Sequence, residues 1–194
     1  MPYKVFLVED EIVTREGIRD NVNWGADGFQ FCGEAPDGEI ALSLLETARP
    51  DVLITDIRMP FMDGLQLSRI VRERMPGVKI VILSGHDEFE YAQAAIKLGV
   101  AEYLLKPVSV QDMRGVLRRV AAQIEREQKE QADLRSLQAQ IEQSRAALRE
   151  SLLLKLVMGT ISAAEAIEQG QSLGVDLIAR GYLVALVQLR RSER

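Results

Sequence analysis

The sequence predicts an α/β fold built on a five-stranded, doubly wound parallel sheet, and two observations support this. Short apolar runs alternate five times with amphipathic segments of helical period, an alternation typical of repeated βα units. Most of the runs are apolar without clean alternation, as expected of strands buried on both faces. Hydrophobic residues make up 47% of the 194 residues and charged residues 27%, which is ordinary for a globular protein.

The elements follow one another in a regular order. The predicted strands are Lys4–Val8, Phe29–Ala35, Val52–Thr55, Lys79–Leu83 and Ala101–Leu105. The helical patterns between and after them cover about Thr14–Val22, Gly38–Ala48, Gly64–Met75, Glu88–Leu98 and a last segment from near Ser109. Right-handed crossovers between such strands bury both faces of the sheet. Ligands of these sheets bind beyond the carboxyl ends of the strands.

The last of these helices is predicted to be very long, because the 43 residues from Val116 to Met158 contain neither glycine nor proline. Alternate steps of four and three residues from Met113 visit thirteen positions, eight of which are apolar. The positions are Met113, Leu117, Val120, Ile124, Glu127, Gln131, Leu134, Gln138, Ile141, Arg145, Leu148, Leu152 and Lys155. The pattern favours a two-stranded coiled coil with a polar centre. The alternative is a long helix packed on its own domain.

A short α/β segment is predicted after the long helix. Ser162 and Glu165 form a capping box that opens a helix ending near Gly174. Tyr182–Leu189 has the pattern of a strand without a partner in its own segment. We therefore expect a first domain over residues 1–123, a coiled-coil helix over 113–158, and the start of a truncated middle domain over 159–194.

Composition excludes several classes of protein and site. The single cysteine, Cys32, permits no internal disulfide and favours a cytoplasmic setting. The sequence has no secretory signal, and no apolar run is long enough to cross a membrane, so no membrane partner is expected. Residues 1–110 carry 18 acidic and 11 basic side chains, which argues against nucleic-acid binding there and favours a cation site or a basic partner.

Chemically active side chains follow four of the five predicted strands. Glu9 and Asp10 follow the first strand, Asp56 the third, Ser84 the fourth and Lys106 the fifth. Because the carboxyl ends of parallel strands meet at one edge of the sheet, these groups are expected to lie close together. Their combination predicts a cation site beside a hydroxyl group and an ammonium group.

The segments VEDE, DIRMPFMDG, SG and YLLKP, in this order and spacing, resemble the receiver domain of two-component response regulators over about residues 1–125. The resemblance implies a flavodoxin-like strand order, a switch function rather than an enzyme, and a cis peptide bond before Pro107. It implies that Arg58 and His86 tune the lifetime of a phosphoryl group. The implied site residues are Asp56 as phosphoacceptor, Glu9, Asp10, Asp56 and the backbone carbonyl of Arg58 as Mg²⁺ ligands, Lys106 as the phosphoryl-binding ammonium, and Ser84 and Tyr103 as switch residues.

These roles have physical reasons. A carboxylate accepts a phosphoryl group only where the repulsion between their negative charges is neutralised. Mg²⁺ prefers oxygen ligands and is held by one or two carboxylates together with phosphate oxygens. An ammonium group supplies a compact positive charge for another phosphoryl oxygen.

The segments VNWGADGFQFCGEAPDGEIAL and SGHDEFEYAQAAIKLGVAEYLLKPV resemble the receivers of AraC-type transcriptional regulators of bacteria. This second resemblance implies a coiled segment after the receiver and DNA binding by a C-terminal helix-turn-helix pair. A sensor histidine kinase is the expected phosphodonor, and the heptad pattern predicts a homodimer formed through the long helix. The 194 residues contain no helix-turn-helix pattern. DNA binding is therefore expected only of a longer parent protein.

Three other functions fit the sequence less well. A phosphatase with an aspartyl-phosphate intermediate would place a second acid two residues after the nucleophile, where this chain has Arg58. A flavin-binding electron carrier would need a phosphate-binding loop after the first strand, where Glu9, Asp10 and Glu11 would repel phosphate. A receiver that functions without phosphate would not need the complete residue set.

Overall fold

The structure, a computed structural model, describes residues 2–85 and 89–178, without the side chains of residues 89 and 90. The expected strand Tyr182–Leu189 and the loop residue His86 lie outside these residues. Five strands are found at Tyr3–Val8 (β1), Phe29–Ala35 (β2), Val52–Asp56 (β3), Lys79–Ser84 (β4) and Glu102–Leu105 (β5). Six α-helices are found at Ile12–Asn21 (α1), Gly38–Ala48 (α2), Gly64–Arg74 (α3), Phe89–Lys97 (α4), Val110–Val157 (α5) and Ala163–Leu173 (α6), with a short 3-10 helix at Trp24–Asp27.

The strands form one parallel sheet in the order β2-β1-β3-β4-β5. The order reverses at β1, which confirms the predicted doubly wound, flavodoxin-like fold and places a crevice at the carboxyl ends of β1 and β3. Most observed bounds lie within a residue of the predicted ones. Among the elements of the five βα units, the largest difference is at α1, which begins at Ile12 rather than at the predicted Thr14.

The core lies on both faces of the sheet, because successive side chains of a strand point to opposite faces. Val5 and Leu7 of β1 belong to one buried cluster, and Phe6 and Val8 belong to the other. The first cluster also contains Ile18 of α1 and the start of α5. The second cluster contains the buried faces of α2, α3 and α4. Burial on both faces explains why the strands lack polar alternation.

The chain divides into two compact units, Met1–Glu127 and Gln128–Arg194. In the first unit, Met113, Leu117, Val120 and Ile124 of α5 are buried in the cluster that contains Val5 and Leu7. The expectation that a coiled-coil seam begins at Met113 is therefore wrong for these four positions. Their periodicity reflects packing of the helix on its own domain, which was the alternative interpretation.

The second unit contains the rest of α5 and α6. Ser162 caps α6 through a capping box with Glu165, and Gly174 ends it in a left-handed conformation, as predicted. Leu152 and Ala166 are buried, and the Arg149 Nε group donates a 2.8 Å hydrogen bond to the Leu173 carbonyl. This hydrogen bond joins the end of α6 to α5. Across the described residues of both units, no helix combines the length and the hydropathy that a bilayer span requires.

Candidate functional site

Three carboxylates meet at the carboxyl edge of the sheet. Glu9 and Asp10 lie in the loop after β1, and Asp56 is the last residue of β3. One carboxylate oxygen from each residue lies within 4.8 Å of the others. Glu9 and Asp56 are buried, whereas Asp10 is exposed. The strand order brings together residues that are 47 positions apart in the sequence, as the pattern of strand ends predicted.

Lys106 connects two of these acids. Its ammonium nitrogen lies 2.9 Å from Asp56 Oδ2 and 2.8 Å from Glu9 Oε2, and it donates a 2.9 Å hydrogen bond to Glu9 Oε1. Lys106 follows β5 and is joined to Pro107 by a cis peptide bond, as predicted. Its backbone N–H donates to the Ser84 carbonyl at 2.7 Å, which ties the ends of β4 and β5 together beside the acids.

Burial and charge shift the pKa values of these groups in opposite directions. Burial raises the pKa of Glu9 and of Asp56, while Lys106 opposes the rise in both cases. Burial works to lower the pKa of Lys106, but hydrogen bonds and charge from Glu9 and Asp56 outweigh it, so this pKa is raised. The lysine therefore stays charged and partly neutralises an acidic cluster that would otherwise repel an anionic donor.

The backbone around Asp56 is fixed from several sides. The Ile57 N–H donates to Asp56 Oδ1 at 2.8 Å, and the buried Thr55 hydroxyl donates to the Asp56 carbonyl at 2.9 Å. Gly64, which opens α3, approaches the same carbonyl so closely that an added Cβ would lie 1.9 Å from it. Only glycine fits there without a backbone shift. A threonine inside a strand carries no distinguishing signal, so the role of Thr55 could not be predicted from the sequence.

The two expected switch residues lie on neighbouring strands. Ser84 ends β4 and is fully buried, with its hydroxyl donating to the Gly85 carbonyl at 3.2 Å. Tyr103 of β5 pairs in register with Ile82 and packs against the cluster that contains Phe6. Its hydroxyl is buried without a hydrogen-bond partner among the residues that the structure describes, which is energetically unfavourable.

The donor set at this edge fits Mg²⁺. Glu9, Asp10 and Asp56 offer the carboxylate oxygens that this cation prefers. Glu9 Oε2 is buried and accepts no hydrogen bond from the described residues, although the Lys106 ammonium is near it. Arg58 lies two residues beyond Asp56 in the loop before α3, and a ligand role for its carbonyl stays a prediction. Arg15, whose role no sequence pattern indicates, donates a hydrogen bond to the Glu9 carbonyl.

Several known proteins are similar to this chain in sequence. Residues 5–118, more than half of the chain, match the response regulator receiver domain. The transcriptional regulatory protein YesN of Bacillus subtilis is 33% identical over 157 residues, which are 81% of this chain and 43% of that protein. The transcriptional regulatory protein HptR of Staphylococcus aureus is 38% identical over 118 residues, which are 61% of this chain and 46% of that protein. The chain thus spans less than half the length of these relatives.

Two solved structures are similar to this chain in both fold and sequence. The REC domain of AraT, a response regulator from Geobacillus stearothermophilus, is 44% identical with a TM-score of 0.63, covering 66% of this chain and 99% of that one. A two-component transcriptional regulator AraC from Clostridium phytofermentans is 32% identical with a TM-score of 0.60, covering 65% and 98%. The strand order, the acidic cluster with its lysine, and the match over residues 5–118 together identify this chain as a member of the response regulator receiver domain family.

Proposed function

We propose that the chain is a phosphorylation-dependent switch whose acceptor is Asp56. The observation that carries this proposal is the cluster of Glu9, Asp10 and Asp56 with Lys106 bridging two of the acids. In the proposed step, a sensor histidine kinase presents a phosphohistidine. Its N–P bond breaks as an O–P bond forms to an Asp56 carboxylate oxygen, and the histidine leaves. Glu9, Asp10, Asp56 and the Arg58 carbonyl would hold Mg²⁺, which would neutralise charge on the phosphoryl oxygens.

The chain's own groups have defined roles in this proposal. Lys106 already contacts Asp56 and supplies a positive charge for a phosphoryl oxygen. Ser84 ends the neighbouring strand and offers a hydroxyl to another. Movement of Ser84 toward the phosphoryl group would alter the packing beside Tyr103, whose buried hydroxyl lacks a partner among the described residues. A local charge change would thereby bias a two-state element of the fold.

Phosphoryl transfer to Asp56 can be tested directly. Incubation of the chain with acetyl phosphate and Mg²⁺ should add one phosphoryl group, measured by intact mass. Asp56→Asn should abolish the addition because the amide is not a nucleophile, and a chelator should suppress it. Asp51→Asn is the matched control, since Asp51 lies at the opposite end of β3, where its side-chain oxygen accepts a hydrogen bond from the Lys4 N–H. Labelling of the Asp56→Asn variant at the wild-type level would contradict the proposal.

We also propose that the output is carried by a homodimer formed through the exposed part of α5. Leu134, Ile141 and Leu148 follow one another at intervals of seven residues and are 59%, 48% and 54% exposed. This spacing places them along one side of the helix, where a second copy of the helix would cover them. The proposed seam is shorter than the predicted one, because the positions from Met113 to Ile124 are used by the core.

Sedimentation of the full chain tests this dimer. The wild-type chain should be dimeric at high concentration, and Leu134→Ser combined with Ile141→Ser should shift it toward the monomer. Ala139→Ser, a change on the same exposed helix but outside the seam, should leave the association unchanged. A wild-type chain that stays monomeric at every concentration would contradict the proposed dimer.

The relatives suggest what the switch controls. YesN and HptR are transcriptional regulatory proteins, and each is more than twice as long as its matched segment. We therefore propose that the phosphorylated state acts in the cytoplasm on transcription, through a DNA-binding region outside these 194 residues. Determining the full reading frame would test this directly. A helix-turn-helix pair downstream supports the proposal, and an output region of another class contradicts it.

A further inference from the structure

Arg15 lies in the first turns of α1 and contacts the loop after β1 that carries Glu9 and Asp10. Its Nη1 group donates a 2.6 Å hydrogen bond to the carbonyl oxygen of Glu9. On its other side, Nε lies 3.4 Å from Oε1 of Glu34, a residue of β2. The Arg15 side chain is only 13% exposed. The guanidinium group is therefore held between β2 and the loop that carries Glu9 and Asp10.

This contact completes the anchoring of the Glu9 backbone. The Glu9 N–H donates to the Ala35 carbonyl at 3.1 Å, and the Glu9 carbonyl accepts from Arg15. The peptide that begins at the Glu9 carbonyl also contains the nitrogen of Asp10, so its orientation directs both acids. We infer that Arg15 is a positioning residue for the cation site of Glu9, Asp10 and Asp56, an inference that rests on the proposed function.

Glu34 makes this arrangement compatible with cation binding. A lone guanidinium beside the site would repel a second cation. The Glu34 carboxylate faces Arg15 and also accepts a 3.1 Å hydrogen bond from Arg19 Nη1, so it offsets the added positive charge. Geometry and charge consequently predict opposite effects when Arg15 is removed. Loss of a repelling charge would tighten cation binding, whereas loss of a positioning contact would weaken it.

Isothermal titration calorimetry of the full chain with Mg²⁺ separates the two effects. We expect Arg15→Ala to weaken Mg²⁺ binding roughly tenfold, the scale on which outer contacts of metal sites act. Arg15→Lys keeps the charge but lacks the planar fork that reaches Glu9 and Glu34 together, and it should also weaken binding. Binding by Arg15→Ala that is unchanged or tighter than that of the wild type would overturn the inference.

Arg19→Ala is the matched control. Arg19 lies one turn further along α1 and shares Glu34, but its hydrogen bonds do not include the Glu9 carbonyl. This variant should bind Mg²⁺ at least as tightly as the wild type. Weakening equal to that in Arg15→Ala would assign the effect to the Glu34 ion pairs instead, and would also overturn the inference.

Hydrogen exchange measured without Mg²⁺ provides a second readout. Amides of residues 9–11 should exchange faster in Arg15→Ala than in the wild type, while those of β3 and β4 keep their protection. A general loss of protection would mean that Arg15 only stabilises the fold and would contradict a positioning role. The proposed function fails separately, if the wild-type chain neither binds Mg²⁺ nor accepts a phosphoryl group.

Discussion

One helix, α5, behaves differently in the two units of the chain. In the first unit, Met113, Leu117 and Val120 are at most 1% exposed and form part of the sheet's core. In the second unit, Leu134 and Ile141 continue the same apolar period but are about half exposed. Hydrophobic periodicity therefore identifies the apolar side of a helix without identifying what covers it. A sheet and a second helix impose nearly the same spacing on their partner.

The polar contacts of α5 differ in the same way. In the first unit, ion pairs connect the helix to other elements at three levels: Arg114 and Arg118 with Asp27, Arg119 with Glu102, and Glu127 with Lys79. In the second unit, the described polar contacts of α5 include an ion pair within the helix, between Arg145 and Glu142, and a hydrogen bond to α6, from Arg149 to the Leu173 carbonyl. We therefore expect substitutions in the first unit to cost more folding free energy than matched substitutions in the second.

The largest difference is expected from a matched pair of leucines. Leu117→Ala creates a cavity in the core and should lower the free energy of unfolding by about 2–5 kcal/mol. Leu134→Ala removes an exposed side chain and should change it by less than about 0.5 kcal/mol. Urea denaturation at low protein concentration, where association is absent, measures both. Equal losses in the two variants would mean that Leu134 is buried in a monomer.

The second-largest effect on the free energy of unfolding is expected at the ion pair of Lys79 and Glu127. The Lys79 ammonium donates 2.6 Å hydrogen bonds to both carboxylate oxygens of Glu127, and the Lys79 side chain is 9% exposed. Glu127→Gln leaves the ammonium group with a neutral partner and should cost about 1–3 kcal/mol. In the background of Lys79→Met the same change should cost far less. Equal costs in both backgrounds would show that the two side chains are not coupled in solution.

A pH-dependent effect is expected at Asp27. Hydrogen bonds from Arg114 and Arg118 lower the pKa of Asp27 from 3.8 to about 2. Because the folded pKa is depressed, this group stabilises the fold above the ordinary pKa and loses that contribution as pH falls from about 4 toward 2. Asp27→Asn should cost about 1 kcal/mol at neutral pH, since the partially exposed arginines are screened by water. The cost should vanish near pH 2, and a cost independent of pH would contradict the assigned cause.

The smallest effects are expected at two capping boxes, one in each unit. Asp63 caps α3 with Gln66, and Ser162 caps α6 with Glu165. Each change to alanine should cost roughly 0.5–1 kcal/mol. In Asp63→Ala the cost should appear in global unfolding, because α3 packs on the sheet. In Ser162→Ala it should appear as faster hydrogen exchange confined to α6. Global destabilisation by Ser162→Ala would show that the two units unfold together.

Local pattern was sufficient to predict most elements of the chain. The bounds of β2 and α2 agree with the prediction, and the caps of α6 at Ser162 and Gly174 do so as well, because turn and capping chemistry acts within a few residues. The predicted meeting of Glu9, Asp56 and Lys106 at one edge also follows from sequence, since each acid or lysine terminates or follows a parallel strand. A site assembled from residues at strand ends can be predicted once the strands are identified.

Contacts between side chains that are far apart in the sequence could not be predicted from such local patterns. Arg15 reaches Glu34 across 19 positions, and Lys79 reaches Glu127 across 48, and neither spacing has a local signature. Local sequence specifies which segments are strands and helices, and which side of each helix is apolar, because propensity, capping and periodicity are properties of neighbouring residues. Two features follow only from the folded chain: the first apolar turns of α5 face the sheet, and an arginine contacts the acidic loop. Those outcomes depend on which surfaces compete for burial and charge when the whole chain folds.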